Sequence, residues 1–323
     1  MSNSMKPVST QSGTIKSNND EMEKIPSSSP KRSDTLTNSQ RIWTSLAAGA
    51  IAGGAAKTSI APLDRTKINF QTSQQPFSTK AVLDFLIKSY QKDGLLSLWR
   101  GNSATMVRIV PYAAIQFTAY EQWKRILKVD ETDVGDERRF IAGAIAGLIS
   151  QAMTYPLDLA RAQMAVTQKD EYKTLRQVFT QIYKKDGLVA FYRGFTPTIL
   201  GVVPYAGCSF FFYDTLKNIL TIYTVNSPAL SAMTGLMSGA IAGMIGQASS
   251  YPLDIVRRRM QTSAVKNQQS LGIIKMTMKI YGEDGIMSFY KGLSMNWVKG
   301  PIAVGISFAT YDIMKDFLRK IFC

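Results

Sequence analysis

The sequence predicts an all-α membrane protein: six transmembrane helices in three pseudo-threefold repeats of about 95 residues, with three amphipathic helices on one membrane side. Three observations predict it. APLDRTK (61–67) returns as YPLDLAR (155–161) and YPLDIVR (251–257), with Pro62, Pro156 and Pro252 spaced 94 and 96 residues apart. DGLLSLWRG (93–101), DGLVAFYRG (186–194) and DGIMSFYKG (284–292) follow, then YEQWK (120–124), YDTLK (213–217) and YDIMK (311–315), in the same order each time. Each copy also holds two apolar spans near the ~20 residues that cross a bilayer. A soluble helical repeat is only roughly 34–47 residues long, so an α-solenoid fits poorly.

Residues 1–38 are rich in Ser, Thr, Asn, Lys and Pro, lack hydrophobic periodicity, and are read as a disordered tail. The tail has no apolar signal core and no EF-hand loop, and Asp20, Glu21 and Glu23 disfavour a transit peptide, so targeting is expected to be internal. Repeats follow at 39–130, 135–225 and 229–320. Their first spans, about 42–63, 140–157 and 230–253, carry G-x-x-x-G pairs (Gly49/Gly53, Gly143/Gly147, Gly239/Gly243), a spacing that lets helices approach closely in lipid. Their second spans run about 102–120, 194–213 and 292–311. Between the two, VLDFLIKSYQKDG, LRQVFTQIYKKDG and IIKMTMKIYGEDG read as helices lying along the membrane surface. These three loops hold six, seven and seven Lys and Arg, against five and one in the connectors between repeats. The positive-inside tendency therefore groups the loops on one side, with both termini on the other.

The net charge of +15 suits nucleic acid, anionic lipid or an anionic substrate. Most of the basic residues lie in loops beside spans, where anionic lipid is nearer than nucleic acid. There is no histidine, and Cys208 and Cys323 have neither a disulfide framework nor metal-ligand spacing. With no G-x-S-x-G, P-loop or dinucleotide fingerprint, the sequence reads as neither an enzyme nor a metal or cofactor protein.

Three charges fall inside the spans, all cations: Lys57, Arg108 and Lys299. Ionisable groups at that depth face a water-filled pathway or snorkel to the surface, and snorkelling fits Lys57 better than the other two. Like charges cannot pair with each other, so an outside anion is the expected partner. Counting back thirteen residues from the acid of each Y-[DE]-x-x-K gives Arg108, Gly201 and Lys299, one per repeat. Arginine can grip phosphate with two N–H groups and lysine adds a point charge, while Gly201 and Val202 leave an apolar slot for a planar base. At one end, Asp64/Lys67, Asp158/Arg161 and Asp254/Arg257 are spaced so that each base can reach the acid of the next repeat. At the other end, Glu121/Lys124, Asp214/Lys217 and Asp312/Lys315 can do the same. Two rings closing in turn would give alternating access. Taken singly, each pair could equally be an ordinary surface pair contributing ~0.3–0.5 kcal/mol.

These triplicate motifs resemble those of the mitochondrial carrier family over about residues 40–320. The resemblance implies a monomeric inner-membrane transporter with matrix-side surface helices and both termini toward the intermembrane space. It places a matrix gate on the P-x-D-x-x-[KR] pairs, with glutamine braces at Gln71 and Gln261. Ala165 replaces the brace in repeat 2, so that layer is expected to be weaker. A cytoplasmic gate falls on the Y-[DE]-x-x-K pairs, substrate contacts fall on Arg108, Gly201, Val202 and Lys299, and cardiolipin is implied near the WRG, YRG and YKG turns. The glycine–aliphatic pair resembles the adenine-nucleotide branch, yet RRRMQT (257–262) stands where ADP/ATP carriers have RRRMMM, and the tail is too short for the calcium domain of ATP-Mg/phosphate carriers. The runs LWRGNSATMVRIVPYAAIQF, YPLDIVRRRMQT and GLSMNWVKGPIAVGISF resemble carriers that exchange coenzyme A and adenosine 3′,5′-diphosphate for ADP or ATP. A carrier of another polyphosphate anion, a channel and a non-transporting membrane scaffold are the alternatives.

Overall fold

The computed structural model describes residues 38–129, 136–168, 170–224, 228–266, 268 and 271–322. The expected disordered tail lies outside the described residues, apart from Asn38. Among those described, all regular structure is helical. Six helices are long: α1 (Asn38–Thr72), α3 (Asn102–Ile126), α4 (Asp136–Val166), α6 (Phe195–Thr224), α7 (Pro228–Thr262) and α9 (Leu293–Phe322). Three are short: α2 (Thr79–Asp93), α5 (Leu175–Asp186) and α8 (Ile273–Asp284). Each repeat is thus long–short–long, and the P-x-D motifs lie inside α1, α4 and α7, which continue past the proline for two to three turns.

The second long helix of each repeat packs along the first of the next: α3 on α4, α6 on α7, and α9 back on α1. The residues that make these seams correct one expectation. Among the G-x-x-x-G glycines only Gly239 has anything near its missing side chain, the Tyr213 ring edge at 3.9 Å, and Gly143 and Gly147 line a cavity instead. Close packing falls on the small residues one position earlier in register. These are Ala48, Ala52 and Ala56; Ala142, Ala146 and Ser150; Ser238, Ala242 and Gly246. The same four-residue spacing serves, but the neighbouring stripe faces the seam. Its tightest point is Gly246, where a β-carbon would stand 1.9 Å from Ser209 Oγ and 2.9 Å from the Tyr205 carbonyl.

The short helices are capped by their sequence. Ser78 accepts the Ala81 N–H at 3.1 Å, and Thr174 with Gln177 forms a reciprocal capping box. The glycine of each D-G motif (Gly94, Gly187, Gly285) ends a short helix with positive φ, donating its N–H to a tyrosine carbonyl one turn back. The glycine of each R-G or K-G has φ of 79–87° and sits against the next repeat. A β-carbon on Gly101 would lie 2.9 Å from the Arg161 carbonyl, and one on Gly194 3.0 Å from that of Arg257. Burial of Val178 and Ile182 docks α5 on α4, and burial of Met276 and Ile280 docks α8 on α7.

The first and last repeats join without a peptide link. Arg259 of α7 donates to the Gln71 and Ser73 carbonyls and forms a two-pronged pair with Glu283, at 2.6 and 2.7 Å. Lys266 donates to the Thr72 carbonyl and Lys291 to that of Gln74. Three cations thereby cap the carbonyl end of α1, where helix polarity favours positive charge.

Two stretches, Glu137–Val166 and Leu188–Thr221, are long and apolar enough to cross a membrane. The remaining long helices have the length, but none holds so apolar a stretch among the described residues.

Gly246→Ala is expected to cost about 1–3 kcal/mol by overpacking, seen as a lower melting temperature of the detergent-purified protein. Gly243→Ala meets open space and should hold or raise it, because alanine is the better helix former by about 1 kcal/mol.

Candidate functional site

The P-x-D helices converge at the loop-side end. Arg161 of repeat 2 pairs with Asp64 of repeat 1, and Arg257 of repeat 3 with Asp158 of repeat 2, so each base reaches the acid of the preceding repeat and not, as expected, of the next. Arg258 adds a contact to Asp158 at 3.6 Å. The third link in that direction, Lys67 to Asp254, is open: the Lys67 ammonium sits over the Tyr251 ring, 5.1 Å from its centre. Among the described residues Asp254 has no ion pair. The ring thus closes at two seams of three.

The glutamines brace it unequally. Gln261 donates to Asp158 Oδ2 at 3.1 Å and to the Tyr155 hydroxyl at 2.9 Å. Gln71 donates to the Tyr251 hydroxyl at 3.1 Å. Those hydroxyls donate in turn to the Arg193 and Lys291 carbonyls, both at 2.8 Å, which ties the ring to the R-G and K-G turns. At the remaining seam Ala165 stands for the glutamine and Ala61 for the tyrosine, so both partners are missing together, and both alanines line a small cleft. Ala165 contributes its carbonyl, which accepts from Arg65 Nε at 3.2 Å.

Beside the ring lies a cavity of about 730 Å³. Gly201, Val202, Tyr112, Tyr205 and Gln151 line it, with Lys299, Asn296, Lys67, Asp254 and Arg257 supplying its polar part. Lys299 Nζ lies 2.7 Å from Asp64 Oδ1. Arg108 stands behind two lining residues, stacked 4.9 Å from the centre of the Tyr112 ring and donating to Gln151 Oε1 at 2.8 Å. It also donates to Thr154 Oγ1 at 3.2 Å and reaches 3.8 Å from Asp158 Oδ1. The expectation that only an outside anion could answer these cations is therefore corrected. Asp64 and Asp158, one or more turns away along neighbouring helices, each serve a ring cation and a cavity cation at once. Lys57 is exposed and lines the small cleft with Asp64, Arg161 and Arg100, apart from the large cavity.

At the opposite end the expected ring is not formed at Lys217 or Lys315. Glu121, Asp214 and Asp312 are exposed. Lys217 and Lys315 lie over their own Tyr213 and Tyr311 rings, 5.5 and 5.4 Å from the centres, and among the described residues neither forms an ion pair. Among the described residues the cavity is thus bounded toward the loops by two ion pairs, with no such pair at Lys217 or Lys315 on the other side.

Sequence reasoning passed over Tyr155 and Tyr251, although both sat in the repeated motif, and over Arg258, Tyr112, Gln151 and Asn296. The tyrosines carried a signal: repeats 2 and 3 begin YPLD and repeat 1 begins APLD.

The family model for "Mitochondrial carrier protein" matches residues 38–131, 137–224 and 228–322. A mitochondrial coenzyme A transporter of Xenopus laevis is 50% identical over 90% of this chain and 90% of its own. The human protein of that name is 51% identical over 87% of this chain and 90% of its own. Solute carrier family 25 member 16 of Mus musculus is 40% identical over 85% and 88%.

Asp158→Asn strands Arg257, Arg258 and Arg108 around a neutral amide. The cost of breaking a buried pair is about 3–5 kcal/mol, so the melting temperature in detergent should drop sharply. Asp254→Asn, with no cation at ion-pair distance among the described residues, should lower it far less.

Proposed function

The chain belongs to the mitochondrial carrier protein family, and from that premise we propose that it is a transporter rather than an enzyme. Its substrates are coenzyme A and adenosine 3′,5′-diphosphate, exchanged for ADP or ATP across the mitochondrial inner membrane. The observation that carries this reading is the cavity in which Lys299, and Arg108 behind Tyr112 and Gln151, flank the Gly201–Val202 wall. The names of the relatives support the choice of coenzyme A.

The six long helices cross the bilayer. Support comes from their length and from large apolar side chains turned outward, including Leu236 at 75% exposure and Phe211 at 65%. Both termini face the intermembrane space, the basic loops face the matrix, cardiolipin sits near the R-G and K-G turns, and one chain suffices for transport.

A substrate entering from the end away from the loops brings phosphates that compete with Asp64 for Lys299 and with Asp158 for Arg108. Those carboxylates also hold Arg161 and Arg257, so drawing the cavity cations toward the substrate perturbs the matrix gate. Opening at that end and closure of Glu121, Asp214 and Asp312 onto Lys124, Lys217 and Lys315 at the other constitute alternating access. The phosphates act by differential binding, since only contacts that differ between the two states shift the equilibrium.

Purified protein in ADP-loaded liposomes should take up labelled coenzyme A saturably, and only with ADP inside. Exchange of ATP or phosphate without coenzyme A would move the reading to another polyphosphate carrier. Absence of any exchange by well-folded protein would favour the scaffold. Arg108→Ala and Lys299→Ala should abolish uptake, and Lys57→Ala should weaken it; normal uptake by the first two would remove those cations from the site.

A further inference from the structure

Coenzyme A and adenosine 3′,5′-diphosphate share a group that ADP and ATP lack, a phosphate on the ribose 3′-oxygen. The cations around the cavity are already engaged, with one exception. Lys299 is on Asp64, Arg257 is on Asp158, and Arg108 is divided among Gln151, Thr154 and Asp158. Lys67 lines the same cavity and, among the described residues, has no carboxylate within ion-pair distance. Its ammonium rests over the face of Tyr251. Asp254, the acid that the threefold pattern assigns to it, lines the same cavity but stands off.

A second observation lies in the same cavity. Asn296 is 6% exposed, and its Oδ1 accepts no hydrogen bond. A buried acceptor without a donor is an unfavourable state that a suitable ligand relieves. An ammonium without a carboxylate and a carbonyl without a donor together complement an anion next to a hydroxyl. A ribose with a 3′-phosphate and a free 2′-hydroxyl presents that pair on adjacent carbons.

Building on the coenzyme A reading, we propose that Lys67 binds the ribose 3′-phosphate and that Asn296 Oδ1 accepts a hydrogen bond from the 2′-hydroxyl. Lys67 then has two partners in turn. With substrate bound it holds the 3′-phosphate, and otherwise it rests over the Tyr251 ring. The open seam of the ring is the subsite that separates 3′-phosphorylated from plain adenylates. Lysine suits the task, because its ammonium meets phosphate as a point charge and can swing between acceptors on a flexible stem.

The test compares two substrates that differ only in that phosphate. Uptake of coenzyme A and of 3′-dephospho-coenzyme A is measured into ADP-loaded liposomes for the full chain, Lys67→Gln, Lys67→Arg and Asn296→Leu. The unsubstituted protein should favour coenzyme A by at least about tenfold in kcat/KM, equivalent to ~1.4 kcal/mol. Lys67→Gln should bring the ratio near one through a raised KM for coenzyme A, Lys67→Arg should keep most of it, and Asn296→Leu should weaken uptake of both ribosides. A residue acting only in the gate would slow both substrates equally, so an unchanged ratio in Lys67→Gln overturns the proposal, as does a missing preference in the unsubstituted protein. If the unsubstituted protein takes up neither coenzyme, the transport reading fails, and Lys67 is then judged by thermal stabilisation in detergent with adenosine 3′,5′-diphosphate against AMP. A preference lost in Lys67→Gln upholds the subsite, and no preference or an unchanged one overturns it.

Discussion

Two buried carboxylates hold the loop-side end of this molecule together. Asp64 is bound by Arg161 and Lys299, and Asp158 by Arg257, with Arg258 and Arg108 close by. Neither group could sit at 7% and 2% exposure without these cations, because desolvating an unpaired carboxylate is prohibitive. The same two acids are the joint between ring and cavity. A charge that enters the cavity cannot engage Lys299 or Arg108 without altering the field at Asp64 or Asp158. Closure of the ring and occupancy of the cavity are therefore coupled through shared partners, with no relay needed between them.

The threefold pattern is not filled equally. The seam of repeats 2 and 3 has the full set: an ion pair, a glutamine on the acid, and a tyrosine tied to the turn. That of repeats 1 and 2 has the ion pair but neither tyrosine nor glutamine, and Arg65 reaches across instead. That of repeats 3 and 1 has the tyrosine and glutamine but lacks the Lys67–Asp254 ring pair. Each seam thus keeps at least one kind of polar tie, and no two keep the same set.

Much of the fold was legible because repetition identifies itself. Three ordered motifs at a fixed spacing gave the long–short–long repeat, and the D-G and R-G glycines later proved to be helix ends and close approaches. What stayed hidden was lateral. Sequence spacing tells which residues share a helix face, but not which face meets a neighbour. The G-x-x-x-G pairs were therefore read as seams when the alanines beside them do the packing. For the same reason Arg108 and Lys299 looked unaccompanied: their acids lie on other helices, at Asp158 and Asp64, and had been assigned wholly to the ring. Lys57 was grouped with them by span, yet it opens on the cleft bounded by Ala61 and Ala165. The missing Lys67–Asp254 link falls on the one base of the three that is lysine and not arginine, a difference the shared spacing concealed.

The cap on α1 bears on how the chain assembles. Its carbonyl end is closed by Arg259, Lys266 and Lys291, and its length is flanked by α9, all from the last third of the polypeptide. During synthesis from the N-terminus α1 is made first among the described long helices, and its partners on α7 and α9 are made last. Contacts of such large sequence separation carry the greatest loop-closure cost and form late. Until then α1 must shelter Lys57, Asp64, Arg65 and Lys67 without its final neighbours. The union of the first and last repeats is therefore the step that completes the surroundings of these four charged residues.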